Sequence, residues 1–241
     1  MEVKRNLIVY VLLLFITAGG TSGQDLVQPK NKTYEKSYEK AVVDAMVAEE
    51  SEICSTLVAI KPDNNYLTWS NGYVLVVTWT KYCSSYPVGD SISISWGETW
   101  VTAVPELKDW YKKNPVSPDK ITLRTEQLLG LPVNSGDSCF VEMWAKPDDL
   151  FRPAYDNEID KKVSGLNFPV NVSSDYVTWF NNNIISSYYP SNGSNKYPWT
   201  RLGYTYDWGN PTTKIGLSEF VIKKNSKVII KSKRPTEDYI H

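Results

Sequence analysis

"CFVEMWA", Cys139 to Ala145, is the stretch on which the reading of the fold turns. Taken as a strand, it sets Cys139, Val141, Met143 and Ala145 on one wholly apolar face, which is the natural core face. Phe140, Glu142, Trp144 and Lys146 share the opposite face. "SWGETW", Ser95 to Trp100, carries the same arrangement, with Glu98 two residues from Trp96 and two from Trp100. Extended backbone through that segment groups Trp96, Glu98, Trp100, Thr102 and Val104. If the two segments pair, two acids stand among four aromatics on one sheet surface.

The surrounding chain supports a sheet. "YVLVVTWTKY", Tyr73 to Tyr82, has the branched and aromatic composition of a central strand. "SISISW" alternates so that Ile92, Ile94 and Trp96 fall on one face, and "ETWVTAV" stays extended to Val104. "PELKDWYKKNP" then reads as a short helix, with acids early, lysines late and Pro115 preventing continuation. "SPDKITLRTEQLLGLP" is the clearest helix, capped by Ser117, led by Pro118 and ended by Gly130 in a left-handed turn. "KPDDLFRP" reads as a proline-led helical turn. "SSDYVTWFNNNIISSYY" spaces Val177, Phe180, Ile184 and Tyr188 as a helix behind a serine cap. "WTRLGYTYDW" reads as a strand, and "IGLSEFVIKKNSKVIIKS" as a hairpin turning at Asn225-Ser226. Strands, then helices, then strands predict an α+β fold: one domain, a mainly antiparallel sheet and several short helices packed on it.

At the start, Lys4 and Arg5, an apolar run from Leu7 to Ala18 and small residues after it have the layout of a secretory signal. The run is shorter than the roughly 20 residues of a membrane-spanning helix, so removal is expected, after Ala18 or Gly23, without a stable membrane anchor. The first cysteine is Cys54, which excludes a lipoprotein anchor near the signal. The expected division is residues 1–23 signal peptide, 24–54 mobile leader and helix, 55–233 α+β domain and 234–241 flexible tail. The leader repeats Tyr-Glu-Lys and then shows a modest helical stripe of Ala41, Val42, Ala45, Met46 and Ala48; a helix packed on the domain fits equally. The mature protein is expected in a secreted or periplasmic setting.

Three cysteines, Cys54, Cys83 and Cys139, allow three pairings in an oxidising compartment. Cys54–Cys83 is the favoured one; three buried thiols are the alternative. A net charge of -1 gives no footprint for nucleic acid. The sole histidine is His241, the last residue, so imidazole-dependent triads and histidine metal sites lack their ligand. No phosphate-binding glycine loop or dinucleotide fingerprint occurs, and neither a cofactor nor a metal is implied. "DNEID", Asp156 to Asp160, spaces acids as a calcium loop begins, but Lys161 and Asn167 occupy places that want glycine and glutamate. It reads as a solvated acidic loop. Asn31, Asn171 and Asn192 match the glycosylation acceptor, which matters only in a eukaryote.

Nine Trp and sixteen Tyr turn attention to grooves and interfaces. Candidate ligand-binding residues are Glu98, Trp100, Glu142 and Trp144, joined from "PWTRLGYTYDWGNP" by Arg201, Tyr204 and Asp207. In that segment Leu202, Tyr204, Tyr206 and Trp208 share one strand face, and Arg201 and Asp207 the other. One reading buries the glutamates against Arg124, Arg152 or Arg201 beneath helices. A second leaves an open aromatic and acidic groove for a cell-envelope glycan or peptide. A third makes Glu98 and Glu142 the catalytic pair of a glycan hydrolase, which needs carboxyls roughly 5 to 10 Å apart. A protein-interaction or inhibitor module, binding another exported protein with the leader as its arm, is the remaining class.

"TLRTEQLLGLPVN", "FVEMWAKPDDLFRPAYDNEI" and "PWTRLGYTYDWGNP" together resemble a group of exported bacterial proteins of unknown function, over roughly Gly72 to Lys231. The resemblance implies an envelope or secreted setting and carries over no catalytic residues. Where that pattern has a cysteine after Phe-Arg-Pro, this chain has Ala154.

Overall fold

The structure, a computed structural model, describes residues 24–191 and 193–240; the expected signal segment, Asn192 and His241 lie outside them. Ten strands and five helices follow one another in the described chain. The strands are β1 (Trp69–Ser70), β2 (Tyr73–Thr80), β3 (Ser91–Ser93), β4 (Thr99–Ala103), β5 (Cys139–Ala145), β6 (Leu150–Phe151), β7 (Tyr204–Tyr206), β8 (Ile215–Ser218), β9 (Phe220–Ile222) and β10 (Lys227–Pro235). The helices are α1 (Gln24–Ala45), α2 (Glu106–Lys113), α3 (Ile121–Leu128), α4 (Ser174–Tyr188) and α5 (Thr236–Ile240).

The main sheet has the order β3-β10-β5-β2-β4-β9-β6, with β1 added to β2 across an Asn71-Gly72 turn; β7 and β8 form a separate pair. Each pairing is antiparallel. Both turn residues have positive φ, as a two-residue hairpin loop requires. The expected α+β class with a mainly antiparallel sheet is the observed one.

Strand alternation sorts the side chains as the sequence predicts. Cys139, Val141, Met143 and Ala145 join Val74, Val76, Val101 and Ala103 in one core cluster. The opposite face, with Leu75, Val77, Trp79 and Phe140, is covered by α2, α5 and the segment after α3. Farther along that face, Val221 and Phe151 meet the aromatic side of α4 and the inner side of α1.

Five expectations change. The chain does turn at Asn225-Ser226, but β9 pairs with β4 and β6 while β10 pairs with β3 and β5. Strands joined by four residues therefore lie four places apart, farther than so short a link spans across a flat sheet. The sheet curls around its core, and Ile94 stitches the ends by bonding Ser226 O and receiving Asn225 N. The glutamate-bearing segments β4 and β5 are not neighbours either, because β2 lies between them.

The leader region is one helix that stops at Ala45, with Tyr38, Ala41, Val42 and Ala45 buried. The flexible tail is part of the fold: Tyr239 of α5 stacks on Phe140 at 4.6 Å. Finally, the disulfide joins Cys83 to Cys139, not Cys54 to Cys83. Register explains the pairing, since Thr80 opposes Cys139 and the short turn after β2 carries Cys83 back beside it. Cys54 is buried and unpaired, packed with Leu57, Leu202 and Tyr204.

Candidate functional site: an aromatic groove over Glu219

The covered face of the sheet is not sealed along its whole length. Where β8 gives way to β9, the chain leaves its partner β7 and enters the main sheet. Glu219 is the residue at this switch, its N–H donating to Gly203 O at 3.0 Å. Trp100 opposes Val221 and Val101 opposes Phe220, so the next register position sets Glu219 across from Thr102, on the face of Trp100.

Two cavities meet there, sharing Trp100, Leu129, Thr205 and Glu219. The outer arm, about 320 Å³, runs over Trp79, Thr102 and Phe140 to a mouth with Tyr82, Trp96 and Glu98. Trp96 is 52% exposed, because the chain leaves β3 after Ser93 and Gly97 turns it outward. The inner chamber, about 400 Å³, is closed by Asn183 and Ser187 of α4, Pro198, Trp199 and Gly130. Gly130 takes the left-handed turn that ends α3; a Cβ on it would stand 3.3 Å from Tyr206 O. Trp100 separates the arms, edge-on to Trp199 at 6.3 Å.

Electrostatically the groove is unusual at two atoms. The Glu219 carboxyl receives no hydrogen bond from the described residues, and burial pushes its pKa up to about 8, partly offset by the charge of Arg152. Arg152 itself is caged by the carbonyls of Val58, Lys161 and Gly203, at 2.8, 3.0 and 3.3 Å. Asn183 Nδ2 is buried without a partner, while its Oδ1 accepts from Ser186 at 3.4 Å. Thr205, by contrast, is fully engaged: its hydroxyl donates to Leu128 O at 2.6 Å and accepts from Leu217 N at 2.8 Å. Next along the chain, Ser218 donates to Glu106, whose pKa burial raises to about 7 against those hydrogen bonds.

Of the seven residues the sequence nominated, Glu98 and Trp100 line this groove. Glu142 does not: it is 4% exposed and bonded by Lys108 at 3.0 Å, Tyr239 at 2.9 Å and Ser232 at 3.0 Å, with Lys231 at 3.4 Å. Burial would raise its pKa, but the bonds from Lys108 and Tyr239 outweigh that and hold it below the usual carboxylate range. Its partners are thus lysines and a tyrosine, not Arg124, Arg152 or Arg201. Trp144, half-buried beside it, lies under Lys231 at 5.5 Å. Through Val77, Glu142 aligns with Thr102, four residues from Glu98. The two Cα atoms are on the order of 16 Å apart, so the proposed catalytic pair is not assembled in one cleft.

The last three lie outside this groove. Asp207, 1% exposed, forms a two-bond fork with Arg124 at 2.5 and 2.9 Å, and Arg124 lies 4.4 Å over Trp110. Arg201 donates to Ala45 O at 2.6 Å, and the Tyr204 hydroxyl to Glu52 O at 2.8 Å. Sequence reasoning passed over Glu219 and Asn183. The signal for Glu219 was present in "GLSEFVI", a lone acid inside an apolar run.

Fold and groove together define an α+β protein with an aromatic-walled cavity floored by a carboxyl group. Comparison with protein-family models, curated proteins and solved structures gave no match for this chain.

Proposed function

We propose that this protein is a binding module whose aromatic and acidic groove takes a cell-envelope glycan or peptide. The observation that carries the reading is Glu219, a carboxyl left without a protein partner between tryptophan-lined arms. Glu219 is half-buried and opens on both cavities, so its carboxyl is available to a ligand. Flat indole rings beside it bind the apolar faces of sugars and side chains while the polar group fixes orientation.

Binding is favoured over hydrolysis because Glu142 is spent in a charge cluster. A leader acting as a free interaction arm gains no support from an α1 whose inner face is buried. Export belongs to the same proposal: the signal-like start and a disulfide compatible with an oxidising compartment support it. Among the described residues no helix is long and apolar enough to cross a membrane.

Intrinsic tryptophan fluorescence of residues 24–241, titrated with peptidoglycan fragments and neutral oligosaccharides, tests the reading. A saturable change that Trp100→Ala weakens about tenfold, in a variant shown to be folded by circular dichroism, is expected, since a buried aromatic contact is worth about 1 to 2 kcal/mol. Equal binding by the variant would remove the groove from the function.

A further inference from the structure

The inner chamber restricts which chemical group the groove can hold, and the argument rests on the binding reading above. Part of its polar surface is spent within the fold. Thr205 is saturated by Leu128 and Leu217, and Ser187 O accepts the Tyr197 N–H at 2.8 Å. Open toward the chamber are the Asn183 Nδ2 donor, the Glu219 carboxyl and the hydroxyls of Ser187 and Tyr197.

Among the described residues no lysine or arginine lines the chamber; its titratable neighbours are Glu219, Tyr197 and Tyr206. Arg152 acts on Glu219 only through space, from inside its cage of carbonyls. An anionic ligand group would therefore be desolvated without a counter-charge. A protonated carboxyl presents one O–H donor and one carbonyl acceptor, the complement of a secondary amide. Asn183 Nδ2 then donates to the second lone pair of the amide carbonyl. Trp100 and Trp199 offer apolar surface to a methyl group.

We infer that the inner chamber receives the acetamido group of an N-acetylated sugar, hydrogen-bonded to Glu219 and Asn183, with the rest of the glycan lying along the outer arm toward Trp96. The chamber is the more enclosed of the two, which suits a pendant group better than the in-line amides of a running peptide.

The test compares triacetylchitotriose with cellotriose, two neutral trisaccharides, by calorimetric titration of residues 24–241. The acetylated sugar should bind about tenfold more tightly, the worth of one good hydrogen bond to a buried polar group. Asn183→Asp, similar in shape but lacking the donor, should erase that preference. Equal affinities in the wild-type protein overturn this inference and leave the groove reading standing. Absence of any sugar binding, with an N-acetylated peptide bound instead at a site sensitive to Trp100→Ala, overturns the sugar assignment. If no ligand responds to Trp100→Ala, the groove reading falls as well. The wild-type comparison decides the matter even if the variant fails to fold.

Discussion

At Glu219 a carboxyl group with no protein donor titrates near pH 8 in the folded state, against about 4.3 for glutamate in an unfolded chain. Between those values the native protein keeps a proton that the unfolded chain has lost. Stability is thus fully present below about pH 4 and falls as pH rises toward 8. Glu106, raised to about 7, contributes with the same sign. Glu219→Gln removes the penalty without changing shape. It should raise Tm at pH 8 by about 2 to 4 °C for each kcal/mol recovered, and by nothing at pH 4. Calorimetric scans of both proteins across that range check this; a Tm gap independent of pH would mean that ionisation is not involved. Glu142 illustrates the opposite case. It is buried, but two lysines, a tyrosine and a serine surround it, so its charge is kept and its role is structural.

Among the elements, the β7–β8 pair matters most to the groove, because it carries Thr205 and delivers Glu219. It approaches the last turn of α3 closely enough for Leu217 N, Thr205 Oγ1 and Leu128 O to form one chain of hydrogen bonds. Gly216 permits that approach. A Cβ there would meet Thr205 Oγ1 at 2.2 Å, Thr205 O at 2.5 Å and Leu128 O at 2.7 Å, all on short or backbone groups that cannot swing away. Gly216→Ala should therefore cost about 1 to 3 kcal/mol in urea unfolding, as overpacking does, and should loosen the inner chamber, weakening ligand in the same preparation. A variant of wild-type stability would show that β8 can move off α3 freely. Helix α1 depends on the rest in a different way. Its C-terminal carbonyl, Ala45 O, takes hydrogen bonds from Tyr188 and Arg201, and Tyr38 donates to Lys196 O. Such ties make it a wall of the domain.

For the molecule as a whole, the Cys83–Cys139 bridge staples the end of β2 to the start of β5, the two strands with the longest shared register. A closed loop of 56 residues restrains the unfolded chain by about 4 kcal/mol in the entropy model. Reduction should lower unfolding free energy by that order, and a non-reducing digest should yield the Cys83–Cys139 pair. Cys54 should alkylate only after denaturation; a Cys54–Cys83 peptide would contradict the register itself. The sequence by itself determined the faces of β2 and β5, the helices α2 and α4 and the α+β class, because alternation and breakers act over a few neighbouring residues. Helix α3 begins only at Ile121, after a short 3-10 turn, and the Ser117 side chain makes no capping bond. It also marked Glu98 and Trp100. Only the tertiary structure decided that β2 parts the two glutamate strands, that lysines neutralise Glu142, and that Asp207 and Arg201 turn inward. The curl of the sheet and the open carboxyl of Glu219 belong to the same group. These are matters of which distant segments meet, and local periodicity cannot carry them, since an acid on a strand face looks the same whether its cover is a lysine, a helix or an empty cavity.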